Sequence, residues 1–154
     1  MTNDRLIILE TLLAIEKDGI YSNIAIKEVL DKYSYLDRQN RSFIKRVTEG
    51  TIERRIELDY IIDRYAKTGT GKMKPVIRTI LEMGVYQLKY MDAVPASAVC
   101  NEAVRLAEKK GFRTLKGFVN GILRNISRGS MEVIYPDREQ DLAAYLSVKY
   151  SMPP

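Results

Sequence analysis

The residue types that carry most enzyme chemistry are nearly missing from this sequence of 154 residues. It contains no histidine and a single cysteine, Cys100. A Ser-His or Cys-His nucleophile pair, an imidazole base and a Cys/His zinc site all need residues that the chain lacks. Carboxylates and lysines are still available as catalysts, so the composition does not exclude an enzyme, but it favours a non-catalytic chain and we expect no metal site.

A glycine-rich segment, residues 68–72 (TGTGK), has the composition of a phosphate-binding loop but not its spacing. A Walker A motif needs a glycine five residues before its Gly-Lys pair, and a serine or threonine directly after it. Ala66 and Met73 occupy these two positions. We interpret the segment as a mobile loop between helices.

The positive charge of the chain is concentrated in residues 104–128. The whole chain carries +5, yet this stretch carries +6, because it holds seven basic residues and one acid, Glu108. Clustered cations attract a polyanion, whose counterions are released on binding. A solubilising surface would explain the same charge, so charge alone does not decide between the two. The basic residues are Arg105, Lys109, Lys110, Arg113, Lys116, Arg124 and Arg128.

Part of this stretch matches the chemistry of single-stranded RNA. Arg113 and Lys116 fall where a loop meets the start of a helix, and free N–H groups at such a start favour phosphate. Phe118 offers a ring on which a base can stack, although the alternative places this ring wholly in the core. We predict RNA contacts from Arg113, Lys116, Phe118 and, further along the same helix, Arg124.

A second set of cations lies in the first third of the chain. Arg38, Arg41 and Lys45 are spaced i, i+3 and i+7, so they share one face of a helix. Arg5 is the only basic residue among the first sixteen. We include these four residues in the predicted RNA-binding set.

Helices must position all of these residues, because apolar residues recur with the helical period and no strand-like alternation is sustained. Helices joined by short loops around one core predict an all-α bundle. The most hydrophobic segment, residues 77–88, predicts a central helix, with Pro75 as its first residue. Gly50 is interpreted as a bend. The predicted helix caps are Asn3 or Asp4, Ser22, Asp37 and Thr114.

Two features of the later helices have structural interpretations. Gly117 and Gly121 each cost roughly 1 kcal/mol of helix propensity relative to alanine, so we predict that another helix backbone passes close to them. Asn120 between them is expected to face a neighbouring helix or loop. Cys100 lies mid-helix among small apolar residues and is interpreted as a buried, unreactive thiol.

Length and composition are those of one soluble globular domain, with 45% hydrophobic and 29% charged residues. The apolar runs stop short of the roughly 20 residues that a membrane span needs. The N-terminal segment has the pattern of an amphipathic helix and not of a signal peptide. We therefore expect a cytoplasmic protein with no membrane partner.

Three blocks of sequence resemble a known family. They are IRTILEMGVYQLKYM (77–91), VPASAVCNEAVRLAEKKG (94–111) and KGFVNGILRNI (116–126). In order and spacing they resemble the second half of the NusB family, which implies a NusB-like helical bundle that binds RNA. Residues 1 to about 130 are covered, the first half more loosely. The family includes the transcription antitermination factor NusB and the N-terminal domain of the Sun/RsmB (Fmu) rRNA cytosine-C5 methyltransferases.

The methyltransferase branch is the closer resemblance, because residues 135–154 (YPDREQDLAAYLSVKYSMPP) resemble the segment that leads into its catalytic region. This implies a NusB-like RNA-binding domain over residues 1–129, then a linker and helix over 130–154 leading toward a catalytic domain beyond Pro154. By this resemblance the chain would contain no catalytic residue and bind no cofactor, and S-adenosylmethionine would serve the full-length parent. The implied partners are single-stranded rRNA, the downstream catalytic domain and a ribosomal protein. The alternatives are a free-standing antitermination factor and a protein-docking module without RNA contact.

Overall fold

The computed structural model describes residues 3–19 and 21–129, and within these residues the chain forms seven α-helices and no strand. The prediction of an all-α bundle is confirmed. The predicted linker and helix over 130–154 lie outside the described residues. The helices are α1 (Asp4–Asp18), α2 (Ser22–Lys32), α3 (Arg38–Glu53), α4 (Arg55–Tyr65), α5 (Pro75–Tyr90), α6 (Ala96–Lys109) and α7 (Lys116–Arg128), with single 3₁₀ turns at Thr70–Lys72 and Arg113–Leu115.

Helix α5 is the centre of the bundle, as its hydrophobicity predicts. Residues 79–87 are all buried, and the helix packs against α1, α3, α4, α6 and α7. Pro75 stands at its start, where the missing N–H of proline costs no helical hydrogen bond. Burial on every side gives α5 no free face, so surface function has to reside on the helices around it.

Helix starts follow the predicted chemistry at two positions. The Asn3 side chain accepts a hydrogen bond from the Leu6 N–H (3.1 Å), and Asp37 accepts from Asn40 (2.8 Å). The other two predicted caps are wrong. Helix α2 already includes Ser22, and α7 begins directly from the 3₁₀ turn that contains Thr114.

Gly50 does not mark a bend. It lies inside α3, which continues to Glu53, and the chain changes direction at Arg54. A Cβ atom at position 50 would lie 2.1 Å from Cζ of Tyr86. Glycine is therefore needed there because the ring of a central-helix tyrosine packs directly on the α3 backbone.

A polar cluster joins α4 to α5. The Glu82 carboxyl group, 1% exposed, lies 3.4 Å from Nε of Arg55 and 3.5 Å from Nε of Arg78. Arg78 also binds Asp59 at 2.6 Å. Burial and the neighbouring Asp59 carboxyl raise the pKa of Glu82 to about 9, against the pull of the two arginines. The cluster holds the two helices in register.

Candidate nucleic-acid interface

An open groove of about 610 Å³ runs between α6 and α7. Its walls carry three cations, Arg105, Lys116 and Arg124, and one acid, Glu108. The remaining lining residues are Asn101, Val104, Gly117 and Asn120. We call this feature the α6–α7 groove. Its shape and charge suit an extended anion.

Arg124 is held across the groove by neutral acceptors. Its Nε donates to Oδ1 of Asn120 (3.1 Å) on the same helix, and its Nη2 donates to Oδ1 of Asn101 (3.2 Å) on α6. Amide oxygens orient the guanidinium without cancelling its charge. Arg124 is thus a fixed positive group with donors to spare for a phosphate.

The other cations of the α6–α7 groove differ in their pairing. Arg105 forms an ion pair with Glu102 at 2.6 Å, on an arginine side chain that is 72% exposed. Such an exposed pair contributes little and exchanges readily for another anion. Lys116 is exposed, and no described carboxylate pairs with it. The groove therefore keeps a net positive charge.

The two glycines of α7 do not face another helix, so that prediction is wrong. A Cβ at Gly117 or Gly121 would meet nothing within 4 Å, and both residues are exposed. The buried side of α7 carries Val119, Ile122 and Leu123 instead. Because the two glycines have no side chains, the backbone on the exposed side of α7 is accessible to a ligand.

The start of α7 places three predicted residues close together in the chain. Arg113 and Lys116 are exposed, whereas Phe118 is half-buried and packs against the core. Phe118 also lines a second pocket, of about 230 Å³, on the side of the 3₁₀ turn Thr70–Lys72. The ring of Phe118 is therefore neither wholly buried in the core nor fully exposed to solvent.

The predicted cations of the N-terminal half are separate from this region. Helix α3, which carries Arg38, Arg41 and Lys45, packs against α1, α2, α4 and α5, whereas α7 packs against α4, α5 and α6. Arg38 and Lys45 are exposed, and Nη2 of Arg41 donates to the Leu30 carbonyl (3.4 Å). The eight predicted RNA-binding residues thus fall into two groups.

Arg5 is already engaged within the protein. Its Nε donates to Oε1 of Gln87 on α5 (3.1 Å), and its guanidinium lies 5.1 Å from the ring centre of Phe43. Burial lowers the pKa of Arg5, against the attraction of Glu102 and Asp4. This arginine ties α1 to the central helix.

Sequence reasoning missed the groove's polar lining: Asn120 was expected only to face a neighbouring helix or loop, and Arg105 was named only among the clustered charges. For α7 the sequence pattern could have predicted the groove side of the helix. Residues 119, 122, 123 and 126 face inward, so helical periodicity puts 117, 121 and 124 on the opposite, exposed face. No such pattern could pair Asn101 with Arg124, because they are 23 residues apart.

Three further observations concern the part of the chain that the structure describes. No group of three or more His, Cys, Asp or Glu side chains in it could hold a metal ion. Cys100 is buried, and burial raises the pKa of its thiol despite the nearby Arg124 and Arg128, which agrees with a structural thiol. None of the described helices has the length and apolar character that a membrane span requires.

These features define a class of protein, a helical domain that presents a cationic groove on the last two helices of its described residues. The NusB family model matches residues 2–128. The chain belongs to the NusB family, and the resemblance seen in its sequence is confirmed.

Relatives of two kinds match the chain. It is 35% identical over 127 residues to "Probable ribosomal RNA small subunit methyltransferase B" of Bacillus subtilis, covering 82% of this chain and 28% of the relative. It is 33% identical over 119 residues to "Transcription antitermination protein NusB" of Bacillus velezensis, covering 77% of this chain and 88% of that protein. The chain thus spans about a quarter of the methyltransferase and most of the antitermination protein.

A solved structure supports the fold. The structure entitled "Crystal Structure of Antitermination Factors NusB and NusE in complex with dsRNA" superposes with a TM-score of 0.73 at 22% identity, covering 81% of this chain and 93% of the matched one. At this identity the likeness establishes the helical fold.

Proposed function

We propose that this chain is a non-catalytic RNA-binding domain that positions ribosomal RNA for a methyltransferase. The observation that carries the proposal is the α6–α7 groove. In it Lys116, Arg105 and the fixed Arg124 present positive charge on an open surface, where Gly117 leaves the α7 backbone uncovered. Backbone phosphates supply most of the affinity of such surfaces. The relatives named as small-subunit rRNA methyltransferases support rRNA as the ligand.

The wider protein follows from the same relatives. A match to 28% of a methyltransferase's length is what a domain within a longer enzyme would give. In that parent a downstream domain would bind S-adenosylmethionine and methylate carbon 5 of a cytosine. The present chain would contribute RNA affinity and orientation and would contact that catalytic domain.

The test is a titration of labelled single-stranded fragments of small-subunit rRNA at two salt concentrations. Each phosphate contact should contribute about 0.7 to the log–log salt slope for a single strand. The double variant Arg105→Gln/Lys116→Gln should weaken binding and lower the slope by about 1.4. Lys17→Gln/Lys27→Gln is the matched control, because both lysines are exposed, on α1 and α2, and neither lines the groove.

Two results would contradict the proposal. One is the absence of binding at low salt. The other is an equal effect of the groove and control variants, since that would mean that only total charge matters.

A free-standing antitermination factor is the second candidate. It is favoured by the match over 88% of an antitermination protein. A NusB structure named as a complex with NusE and double-stranded RNA makes a ribosomal-protein partner part of this candidate. Co-purification with that partner, without association with a catalytic domain supplied separately, would favour it. Association with the catalytic domain and no RNA binding would instead support a docking module.

A further inference from the structure

A row of polar and basic residues on α7 continues from the α6–α7 groove to the end of the helix. Lys116, Asn120, Arg124 and Arg128 follow one another at intervals of four residues, so each lies about one turn beyond the previous one. The first three line the groove, and Arg128 is exposed at the last position of α7. Burial raises the pKa of the Cys100 thiol on α6, and the nearby charges of Arg124 and Arg128 oppose this effect. The row therefore stays near α6 as far as the point where the chain leaves α7.

The cations of this row have few negative partners among the described residues. No described carboxylate forms an ion pair with Lys116, Arg124 or Arg128. The hydrogen bonds that Arg124 donates go to neutral amide oxygens. Glu108 is the one acid among the residues that line the groove. The positive charge is therefore available to an anion from outside the described residues.

The sequence that follows α7 contains such an anion. Residues 132–141 (EVIYPDREQD), which we call the acidic segment, contain four acidic residues and one basic residue. They lie outside the described residues and begin three positions after Gly129. Residues 104–128, by contrast, contain seven basic residues and one acid. Stretches of opposite charge are thus close neighbours in the chain. The acids of the segment are Glu132, Asp137, Glu139 and Asp141.

The connection between the two stretches is long enough for them to meet. Arg124 precedes Gly129 by five residues, which is about 7.5 Å along a helix axis. The chain from Gly129 to Glu132 spans up to about 10 Å when it is extended, and the backbone of Gly129 is itself extended. The part of α7 from Lys116 to Arg124 is about 12 Å long. Ten residues span about 15 Å as a helix and up to about 33 Å when extended, so the acidic segment covers the groove in either form.

We infer that the acidic segment folds back onto the α6–α7 groove and occupies it when no RNA is bound, with its carboxylates on Lys116, Arg124 and Arg128. Arginine and lysine donate charge-assisted hydrogen bonds to carboxylates as they do to phosphates. Each exposed ion pair is weak by itself, but the short connection gives the segment a high effective concentration at the groove.

The contact has a consequence for RNA binding, and this consequence rests on the proposed function. RNA and the acidic segment compete for the same cations, so the apparent affinity for RNA falls with the fraction of molecules whose groove is open. If the segment occupies the groove in about 90% of molecules, RNA binds about tenfold more weakly than it would to an open groove. The segment is therefore a built-in competitor of RNA.

A nitroxide spin label tests the contact without RNA. Gln140→Cys places the label inside the acidic segment without removing a charge, and Cys100 is buried, so the introduced thiol is the reactive one. In NMR spectra of the 154-residue protein at low salt, the label should broaden the amide signals of Gly117 and Gly121, which are exposed on α7. The amide signal of Lys27 should be affected less, because α2 packs against α1 and α3. At about 1 M salt, where the Debye length is about 3 Å, the broadening should disappear.

Neutralising the acidic segment should open the groove. The variant replaces its four acids by the matching amides, Glu132→Gln/Asp137→Asn/Glu139→Gln/Asp141→Asn. The spin-label broadening should then be lost, and a single-stranded rRNA fragment should bind about tenfold more tightly at low salt. A control variant removes the same charge from four exposed acids that do not line the groove, and it should change both readouts little. The control is Asp18→Asn/Glu28→Gln/Asp31→Asn/Glu53→Gln.

The outcomes separate this inference from the proposed function. If Gly117 and Gly121 are not broadened at low salt, or remain broadened after the four acids are neutralised, the inferred contact is wrong, whether or not RNA binds. If they are broadened but the neutralised variant binds no RNA at low salt, the contact stands and the proposed function fails. If both hold, adding RNA to the labelled protein should remove the broadening, because RNA displaces the acidic segment.

Discussion

Removing one acid from the α6–α7 groove should strengthen RNA binding. Glu108 is the single acidic residue among those that line the groove, and it is exposed. If a bound phosphate lies about 8 Å from this carboxylate, the repulsion is about 0.5 kcal/mol in water and about 2 kcal/mol at the lower dielectric of a protein surface. Between these limits, Glu108→Gln should gain about 1 kcal/mol, or about fivefold in affinity at low salt.

The control variant is Glu28→Gln, which changes the net charge by the same amount. Glu28 is exposed on α2, a helix that packs against α1 and α3. Exposed charges interact little beyond a Debye length, which is about 10 Å at 0.1 M salt. Glu28→Gln should therefore leave RNA affinity unchanged at that salt, and both variants should keep the stability of the wild type within about 0.5 kcal/mol.

The assay is fluorescence anisotropy with a labelled single-stranded rRNA fragment at about 10 mM and 100 mM salt, where the Debye lengths are about 30 Å and 10 Å. The advantage of Glu108→Gln should shrink as salt rises, because screening weakens the repulsion that the variant removes. Equal gains from both variants, or no gain from Glu108→Gln, would refute the assignment of RNA to this groove.

Three further predictions concern the fold. Gly50→Ala should lower the free energy of unfolding by about 1 to 3 kcal/mol, because its Cβ would overlap the Tyr86 ring; Gly71→Ala, with open space around it, is the control in denaturant titrations. The pKa of Glu82 is about 9 in the folded state and has its ordinary value of 4.5 in the unfolded chain. The free energy of unfolding should therefore fall as pH rises from 4.5 to 9, by at most about 1.4 kcal/mol per pH unit, and Glu82→Gln should flatten this dependence in thermal melts. Gly117→Ala should raise the free energy of unfolding by up to about 1 kcal/mol through helix propensity; a loss of stability would mean that the position is sterically restricted.

The helices and the core could be predicted from the sequence because both follow from local periodicity. An apolar pattern that covers every side of residues 79–87 leaves a buried central helix as the consistent solution. Long-range approaches could not be predicted in this way. Gly50 was interpreted as a bend because glycine is unfavourable in the interior of a helix. The sequence does not show that the ring of Tyr86 packs against this position.

The candidate site was predicted in part for the same reason. Cation clustering drew attention to α6 and α7, but it is a property of the linear sequence and shows nothing of which side chains meet in the fold. Arg124 is oriented by Asn101 on another helix. The 3₁₀ turn at Thr70–Lys72 is held by Asp63, whose carboxylate accepts a hydrogen bond from the Thr70 N–H. The Gly and Lys residues of that segment do not by themselves indicate this partner. Both depend on side-chain pairs that only the folded chain brings together.

The central position of α5 has a consequence for the order of assembly during synthesis. The chain leaves the ribosome from its N-terminus, so α1 to α4 emerge before the helix on which three of them pack. Until residue 90 or so has been added, these early helices can pack only against one another, without the central helix on which α1, α3 and α4 also pack. Of the seven described helices, the two that form the groove are synthesised last. A nascent chain therefore cannot bind RNA through the groove until helices α1 to α5 have been synthesised.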